Sequence, residues 1–138
     1  MKILITGSTG FIGKALTHKL KQYSNYELFA LLNSHSKVAV SSAVASDLSQ
    51  AELRKLLKDV DVVIHLAARV HLMDDKSPHP LKDFREVNVD LTFNLAKLAA
   101  ECGVKRFIFL SSIKVNGEHT KFYETFKPTI SDIRFKQL

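Results

Sequence analysis

Short apolar runs punctuate this chain, and between them lie segments whose apolar residues recur every three or four positions. Ile3-Leu4-Ile5 opens the series; Glu27 to Leu32, Ala43-Val44-Ala45, Asp61 to Leu66 and Arg106 to Leu110 follow. Runs of this length, bounded by polar or turn residues, read as strands covered on both faces. After the first run, Phe11, Ile12, Ala15, Leu16, Leu20 and Tyr23 share the spacing of one helix face. Ser49-Gln50-Ala51-Glu52 is a capping-box pattern ahead of a second helical stripe, Leu53, Leu56 and Leu57. A longer stripe, Leu81, Phe84, Val87, Leu91, Leu95, Leu98 and Ala99, predicts one helix over residues 81–101, closed near Gly103. Ser34 to Ser42 and Met73 to Pro80 read as loops.

Strands alternating with helices predict an α/β fold, a doubly wound parallel sheet with helices on both faces. Right-handed crossovers, with the direction reversing at the first strand, give the order 3-2-1-4-5. The strand ends bearing Gly7, Asp47, Ala67 and Ser111 then border one crevice, the place where such sheets bind ligands.

At 138 residues the chain suffices for one domain with a real core. Its 46% hydrophobic and 25% charged residues are ordinary for a soluble globular protein. No apolar run approaches the ~18 residues of a membrane span, and the N-terminus reads as a strand rather than a signal peptide. The single Cys102 cannot form an internal disulfide, which fits a reducing cytoplasm. The net charge of +6 is spread along the chain with no basic run or interleaved aromatics, so nucleic acid is not the expected partner. An anionic small molecule fits the charge better.

Thr6-Gly7-Ser8-Thr9-Gly10-Phe11-Ile12-Gly13 names that molecule's class. Glycines in a strand-to-helix turn let a pyrophosphate approach the backbone and rest on the free N–H groups of a helix start. Gly7, Gly10 and Gly13 supply the turn, the close approach and the helix–sheet contact. The amides of Phe11 and Ile12 are the expected phosphate donors, with Thr9 beside them.

Five elements in order, TGSTGFIG, Asp47-Leu48, His65-Leu66-Ala67-Ala68, Asn88-Val89 and FIFLSSIKVNGE, resemble the N-terminal half of an extended short-chain dehydrogenase/reductase, the NAD(P)-dependent nucleotide-sugar epimerase/dehydratase group with its Rossmann domain. The resemblance covers residues 1 to about 117. It implies that Asp47 accepts from the adenine amino group while the Leu48 amide donates to the ring. The competing role for Asp47 is a carboxylate at a helix start. Leu66, Ala67 and Ala68 would lie under a flat ring, or simply be strand core. Asn88 sits inside the long helix, where asparagine is unfavourable, and is expected to fix backbone at the fourth or fifth strand end. Ser111 falls on the nicotinamide side, and Ser112 matches the catalytic hydroxyl that hydrogen-bonds the reacting sugar oxygen.

The family's tyrosine exchanges the proton, and a lysine four residues on holds the ribose and lowers the tyrosine pKa. It belongs roughly two dozen residues after the serine, on the next helix. Tyr123-Glu124-Thr125-Phe126-Lys127 spells YxxxK, but only 11 residues after Ser112, and Lys127 precedes Pro128, which disfavours helix there. The expected organisation is therefore a dinucleotide-binding domain over residues 1–117 and a variable loop or tail over 118–138. It is truncated before the tyrosine helix and has no substrate domain. Natural truncation, frameshift and expression fragment fit that reading alike.

The choice between NAD and NADP rests on the end of the second strand, where an acidic residue holds ribose hydroxyls and an arginine a 2′-phosphate. Leu32 and Asn33 stand there; Asn33 can meet a ribose hydroxyl, Ser34, His35 and Lys37 can meet a phosphate, and the balance leans slightly to NAD. A UDP-sugar-type substrate is implied only for a full-length parent. His65, His71 and His79 lack ligand spacing, so no metal is expected. Ser111-Ser112 lacks the glycine-flanked elbow of a hydrolase. The alternatives are a non-catalytic NAD(P)-binding sensor or partner-binding module, and a receiver-type signalling domain. The latter needs an acidic cluster that Thr6-Gly7-Ser8 does not provide. Strand five is apolar on both faces, so the chain is expected to self-associate, or to fold its tail back with Phe122, Phe126, Ile130, Ile133 and Phe135.

Overall fold

A computed structural model of the chain describes residues 1–32, 41–44, 50–69, 77–112 and 130–134, the segments 41–44 and 130–134 by backbone. Its strands are β1 (Lys2–Thr6), β2 (Glu27–Leu32), β3 (Ser41–Val44), β4 (Val62–His65), β5 (Arg106–Leu110) and β6 (Ile130–Arg134). They form one sheet in the order β3-β2-β1-β4-β5-β6. The first five run parallel, as expected, whereas β6 joins the edge antiparallel to β5, pairing Phe107 with Ile133. The segment read as loop or tail thus contributes a strand. The ladder covers the outer edge of β5 and makes β6 the edge strand of the sheet.

The helices are α1 (Phe11–Leu20), α2 (Gln50–Leu57), α3 (Pro80–Arg85) and α4 (Leu91–Glu101), with a π-helical turn, Glu86–Asp90, joining the last two. Strand alternation sorts the core into two layers. Leu4, Leu31, Val63 and Phe107 point to one face, where Leu57, Leu95, Leu98 and Ala99 from α2 and α4 close over them. Ile3, Ile5, Leu28 and Ile64 point to the other, against Leu16 and Leu20 of α1. Burying each such side chain is worth about 1.5–3 kcal/mol, so both layers hold the sheet flat between helices.

Two helix faces differ from the sequence pattern. On α1 the buried residues are Gly13 and Thr17, while Phe11 is 94% exposed and Ile12 51% exposed. The first turn of α1 overhangs the end of the sheet, where no layer covers it. The long stripe also breaks: Leu95 and Leu98 are buried, but Leu81 is 67% exposed. The reason is the π-turn, in which the Leu91 N–H reaches back to the Glu86 carbonyl. One extra residue per turn rotates the face upstream of it by about 100° relative to the face below.

The C-terminal end of α4 behaves as its glycine predicts. Gly103 takes φ +78°, its N–H bonds the Ala100 carbonyl, and the Val104 N–H bonds that of Ala99. This double closure satisfies the last carbonyls and drops Val104 into the core. At the opposite end of the sheet from the glycine turn, the Asp61 carboxylate accepts the Lys2 N–H at 2.8 Å and the Lys105 ammonium at 2.7 Å, joining β1, β4 and β5. Chiefly the Lys105 bond, then the Lys2 amide, hold the Asp61 carboxyl below its usual range. No helix among the described residues is long and apolar enough to cross a membrane.

Candidate functional site

The chain leaves β1 at Thr6 and must turn at once into α1. Gly7 makes that turn with φ +69°, and a Cβ there would stand 2.6 Å from the Ala67 nitrogen and from the Leu66 carbonyl carbon. The Gly10 N–H closes the turn on the Gly7 carbonyl at 3.0 Å. Gly13 lies over the same carbonyl, where a Cβ would come within 2.1 Å of it. These two positions are therefore required by packing. Gly10 is different: its φ of −73° suits any residue, and a Cβ would meet only the Gly7 carbonyl, at 3.3 Å. Among the described residues, packing demands a glycine less at position 10 than at positions 7 and 13, whereas a ligand resting on the turn would demand one there.

Gly10 is also the residue before α1, and no side chain caps the helix there. No acidic residue stands in the first turn, so the helix's positive end faces the cleft without a neutralising charge.

The cleft itself has a volume of about 280 Å³ at the C-terminal ends of β1, β2 and β4. Thr6, Gly7, Thr9 and Gly10 form one wall, Leu31 and Leu32 a second, and His65, Leu66, Ala67 and Ala68 a third. Val87, Leu91 and Leu95 close it from the helical side. A larger, more open groove of about 760 Å³ runs from Pro78 to Asp90. It is lined by helical and loop side chains with no glycine turn and no strand end, and the convergence of groups favours the smaller cleft.

Of the residues singled out in the sequence, Gly7, Thr9, Gly10, Leu66, Ala67 and Ala68 come together here. Phe11, Ile12 and Gly13 follow directly in α1, beyond the cleft lining, with the Phe11 and Ile12 side chains exposed. Asn88 lies in the π-turn and clamps the backbone beyond β4. Its Oδ1 accepts the Arg69 N–H at 2.7 Å and its Nδ2 donates to the Arg69 carbonyl at 2.9 Å. The Arg69 side chain is steadied by Asp83 at 3.5 Å and lies 5.6 Å from the Phe84 ring centroid. Ser111 and Ser112 follow β5, half-buried and exposed respectively, outside the cleft lining. Asn33, Asp47, Leu48, His71, Tyr123 and Lys127 fall outside the described residues.

His65, part of one of the five sequence elements, has a bonding role that its motif did not reveal. His65 is fully buried, with Nδ1 2.7 Å from Thr6 Oγ1 and Nε2 2.8 Å from Thr92 Oγ1. Burial pushes its pKa down to about 4, so the ring is neutral. The signal was a histidine in an otherwise apolar strand run, Val62-Val63-Ile64-His65, which has to find partners inside the core. Among the described residues, no group of three or more His, Cys, Asp or Glu gathers to hold a metal.

This combination of turn, cleft and sheet has counterparts. Residues 3–134 match the model of the NAD dependent epimerase/dehydratase family. A UDP-glucose 4-epimerase of Vibrio cholerae is 47% identical over 128 residues, which are 86% of this chain and 37% of that protein. A human dTDP-D-glucose 4,6-dehydratase is 30% identical over 84% of this chain and 37% of its own length. Among solved structures, the UDP-N-acetylglucosamine 4-epimerase of Bacillus cereus superposes with a TM-score of 0.71 at 27% identity, covering 94% of this chain and 46% of that one. A short-chain dehydrogenase/reductase superfamily protein of Agrobacterium tumefaciens with bound NAD gives 0.73 at 28% identity, over 89% and 36% of the two chains. The chain spans little more than a third of the length of the curated relatives named here. From its glycine turn to its sheet order, this chain belongs to the NAD dependent epimerase/dehydratase family.

Proposed function

We propose that this chain is the dinucleotide-binding part of a nucleotide-sugar epimerase, dehydratase or reductase, with the cofactor across the C-terminal ends of β1 and β4. The observation that carries the reading is the bare Gly10. It stands at an uncapped helix start over a cleft, and of the turn's three glycines it is the one whose Cβ would meet the mildest contact, 3.3 Å from the Gly7 carbonyl. The Phe11 and Ile12 amides would receive the pyrophosphate, and Leu66, Ala67 and Ala68 would carry the flat rings. When bound, the nicotinamide supplies the uptake and return of a hydride. Asp47 and Leu48 are assigned to the adenine, and Ser111 to the nicotinamide side.

Ser112 is assigned to the substrate side, where its hydroxyl would donate a hydrogen bond to a sugar oxygen, orienting the substrate and stabilising charge on that atom as its proton leaves. NAD is favoured over NADP. Neither Leu32 nor Asn33 offers a cation for a 2′-phosphate, His35 and Lys37 stand two and four residues beyond Asn33, and the solved relatives described above include one with NAD bound. A UDP-sugar is the substrate class for the parent activity; a UDP-glucose 4-epimerase of Thermotoga maritima, 25% identical with a TM-score of 0.72, is solved with UDP-glucose.

Calorimetric titration with NADH and NADPH tests the proposal. NADH should bind below millimolar concentration, more tightly than NADPH, and the folded Gly10→Val variant should bind neither. A folded wild-type chain that takes up neither cofactor would refute the assignment.

A further inference from the structure

His65 reaches the cleft through the Thr6 hydroxyl. Thr6 Oγ1 accepts the N–H of Leu66 at 3.2 Å and of Ala67 at 3.1 Å. A hydroxyl has two lone pairs and one proton, so with both lone pairs engaged its proton must be the donor at the third contact, His65 Nδ1. Nδ1 is then bare, and the one proton of the neutral ring sits on Nε2 and donates to Thr92 Oγ1. The ring is held flat by Phe109, with centroids 5.8 Å apart, and flanked by Phe107 at 5.9 Å. The chain of bonds has one direction, from the Leu66 and Ala67 amides into Thr6, from Thr6 into His65, and from His65 into α4. It spans three of the elements that bound the cleft.

The geometry points to His65 as the positioning residue of the dinucleotide site. By accepting the Thr6 hydroxyl proton in a single fixed tautomer, it locks the Leu66–Ala67 peptide that forms the cleft floor against the glycine turn. This rests on the dinucleotide reading above for its consequence, but not for its mechanism. The peptide is gripped from both sides. Gly7 presses on it with no Cβ in between, and the Thr6 hydroxyl holds its amides. Leu66 has a second acceptor, the Thr6 carbonyl at 3.2 Å, whereas among the described residues the Ala67 N–H donates to the hydroxyl alone. Ala67 is therefore the reporter. If the Thr6 proton loses its acceptor at Nδ1, the hydroxyl must turn to find another, and its lone pairs turn away from Ala67.

The test separates hydrogen bonding from space filling. Asparagine places an acceptor near the position of Nδ1, and glutamine places one near Nε2. His65→Asn should keep Ala67 amide protection and NADH affinity within about threefold of wild type. His65→Gln, closer to histidine in size, should lose about tenfold or more in both, the scale of a stranded buried polar group. Thr6→Ser should follow the asparagine variant, and Thr6→Val, the same shape without the hydroxyl, should follow the glutamine variant. Ring nitrogen shifts of the wild-type chain should show the proton on Nε2. A proton on Nδ1, or a glutamine variant as good as the asparagine one, would overturn the proposal, because volume alone would then explain the site. A wild-type chain that protects Ala67 with the Nε2 tautomer yet binds no NADH would overturn the dinucleotide reading and leave the positioning role in place.

Discussion

Gly10 and Gly13 stand three residues apart in one turn, and their environments ask for opposite tests. A methyl at Gly13 would collide with backbone, the Gly7 carbonyl at 2.1 Å and Ser8 Cα at 2.7 Å, which cannot swing away as a side chain can. Gly13→Ala should therefore cost about 2 kcal/mol or more and lower the melting temperature by roughly 5–10 °C. Gly10→Ala should leave the melt within about 1 kcal/mol of wild type while weakening dinucleotide binding at least about tenfold. Paired melts and titrations check this. Equal melts for the two variants would mean that the turn is not packed as described.

His65 gives the same scale a pH dependence. Its folded pKa lies near 4 against an ordinary 6.5, because burial disfavours the charged ring. Between those values the unfolded chain binds the proton that the folded chain refuses, so stability rises with pH over that window and is lost as pH falls from 6.5 towards 4. A shift of this size corresponds to about 3 kcal/mol. Urea unfolding at pH 7 and at pH 4.5 should show the difference in wild type, and His65→Asn should flatten it. An unchanged slope in the variant would place the acid sensitivity elsewhere. Histidine at this position was legible only as an oddity. Its neighbours told of a buried strand, but the partners Thr6 and Thr92 are 59 and 27 residues away and come within reach only through folding.

Among the elements, strands were the readable part. Glu27–Leu32 and Arg106–Leu110 have the bounds that their apolar runs suggested, and β4 is shorter than Asp61 to Leu66 by one residue at each end. The third strand was harder. It runs Ser41–Val44 rather than from Ala43, because two serines carry no strand signal and only pairing with β2 recruits them. The helix over 81–101 was read as one stripe, since periodicity in sequence cannot register a π-turn. Asn88 was the clue to that turn, a polar residue inside a helix where its own propensity is poor. The π-turn aims its amide at both polar groups of the Arg69 backbone. Asn88→Ala should strand both groups and cost about 1–3 kcal/mol. In hydrogen exchange the Arg69 amide should open faster while amides at the Asp61 clamp keep their rates. Global unprotection instead would show that Asn88 holds the whole sheet and not one loop.

At the scale of the whole molecule, alternation of strand and helix was enough to order the parallel sheet, because crossover handedness leaves few arrangements. It could not give β6, whose segment has no apolar run to mark it as a strand. Backbone pairing along Leu110–Arg106 is what brings Ile130–Arg134 into the sheet. A chain ending at Gly117 should lose that ladder, bare the edge of β5 and self-associate more strongly in light scattering than the full chain. Equal scattering from both would show that β6 shields no edge.

The site, like the sheet, was legible where chemistry repeats locally, in the glycine turn and in Leu66-Ala67-Ala68, and hidden where it depends on long-range packing. Its central claim is that a dinucleotide lies across the C-terminal ends of β1 and β4. Amide chemical shifts of the labelled chain during titration with NAD test it most directly. Saturable shifts should concentrate at Gly7 to Gly13 and Leu66 to Ala68, with little change at the Asp61 clamp at the opposite end of the sheet. Shifts gathered instead along Pro78 to Asp90, or none at all from a folded chain, would contradict it.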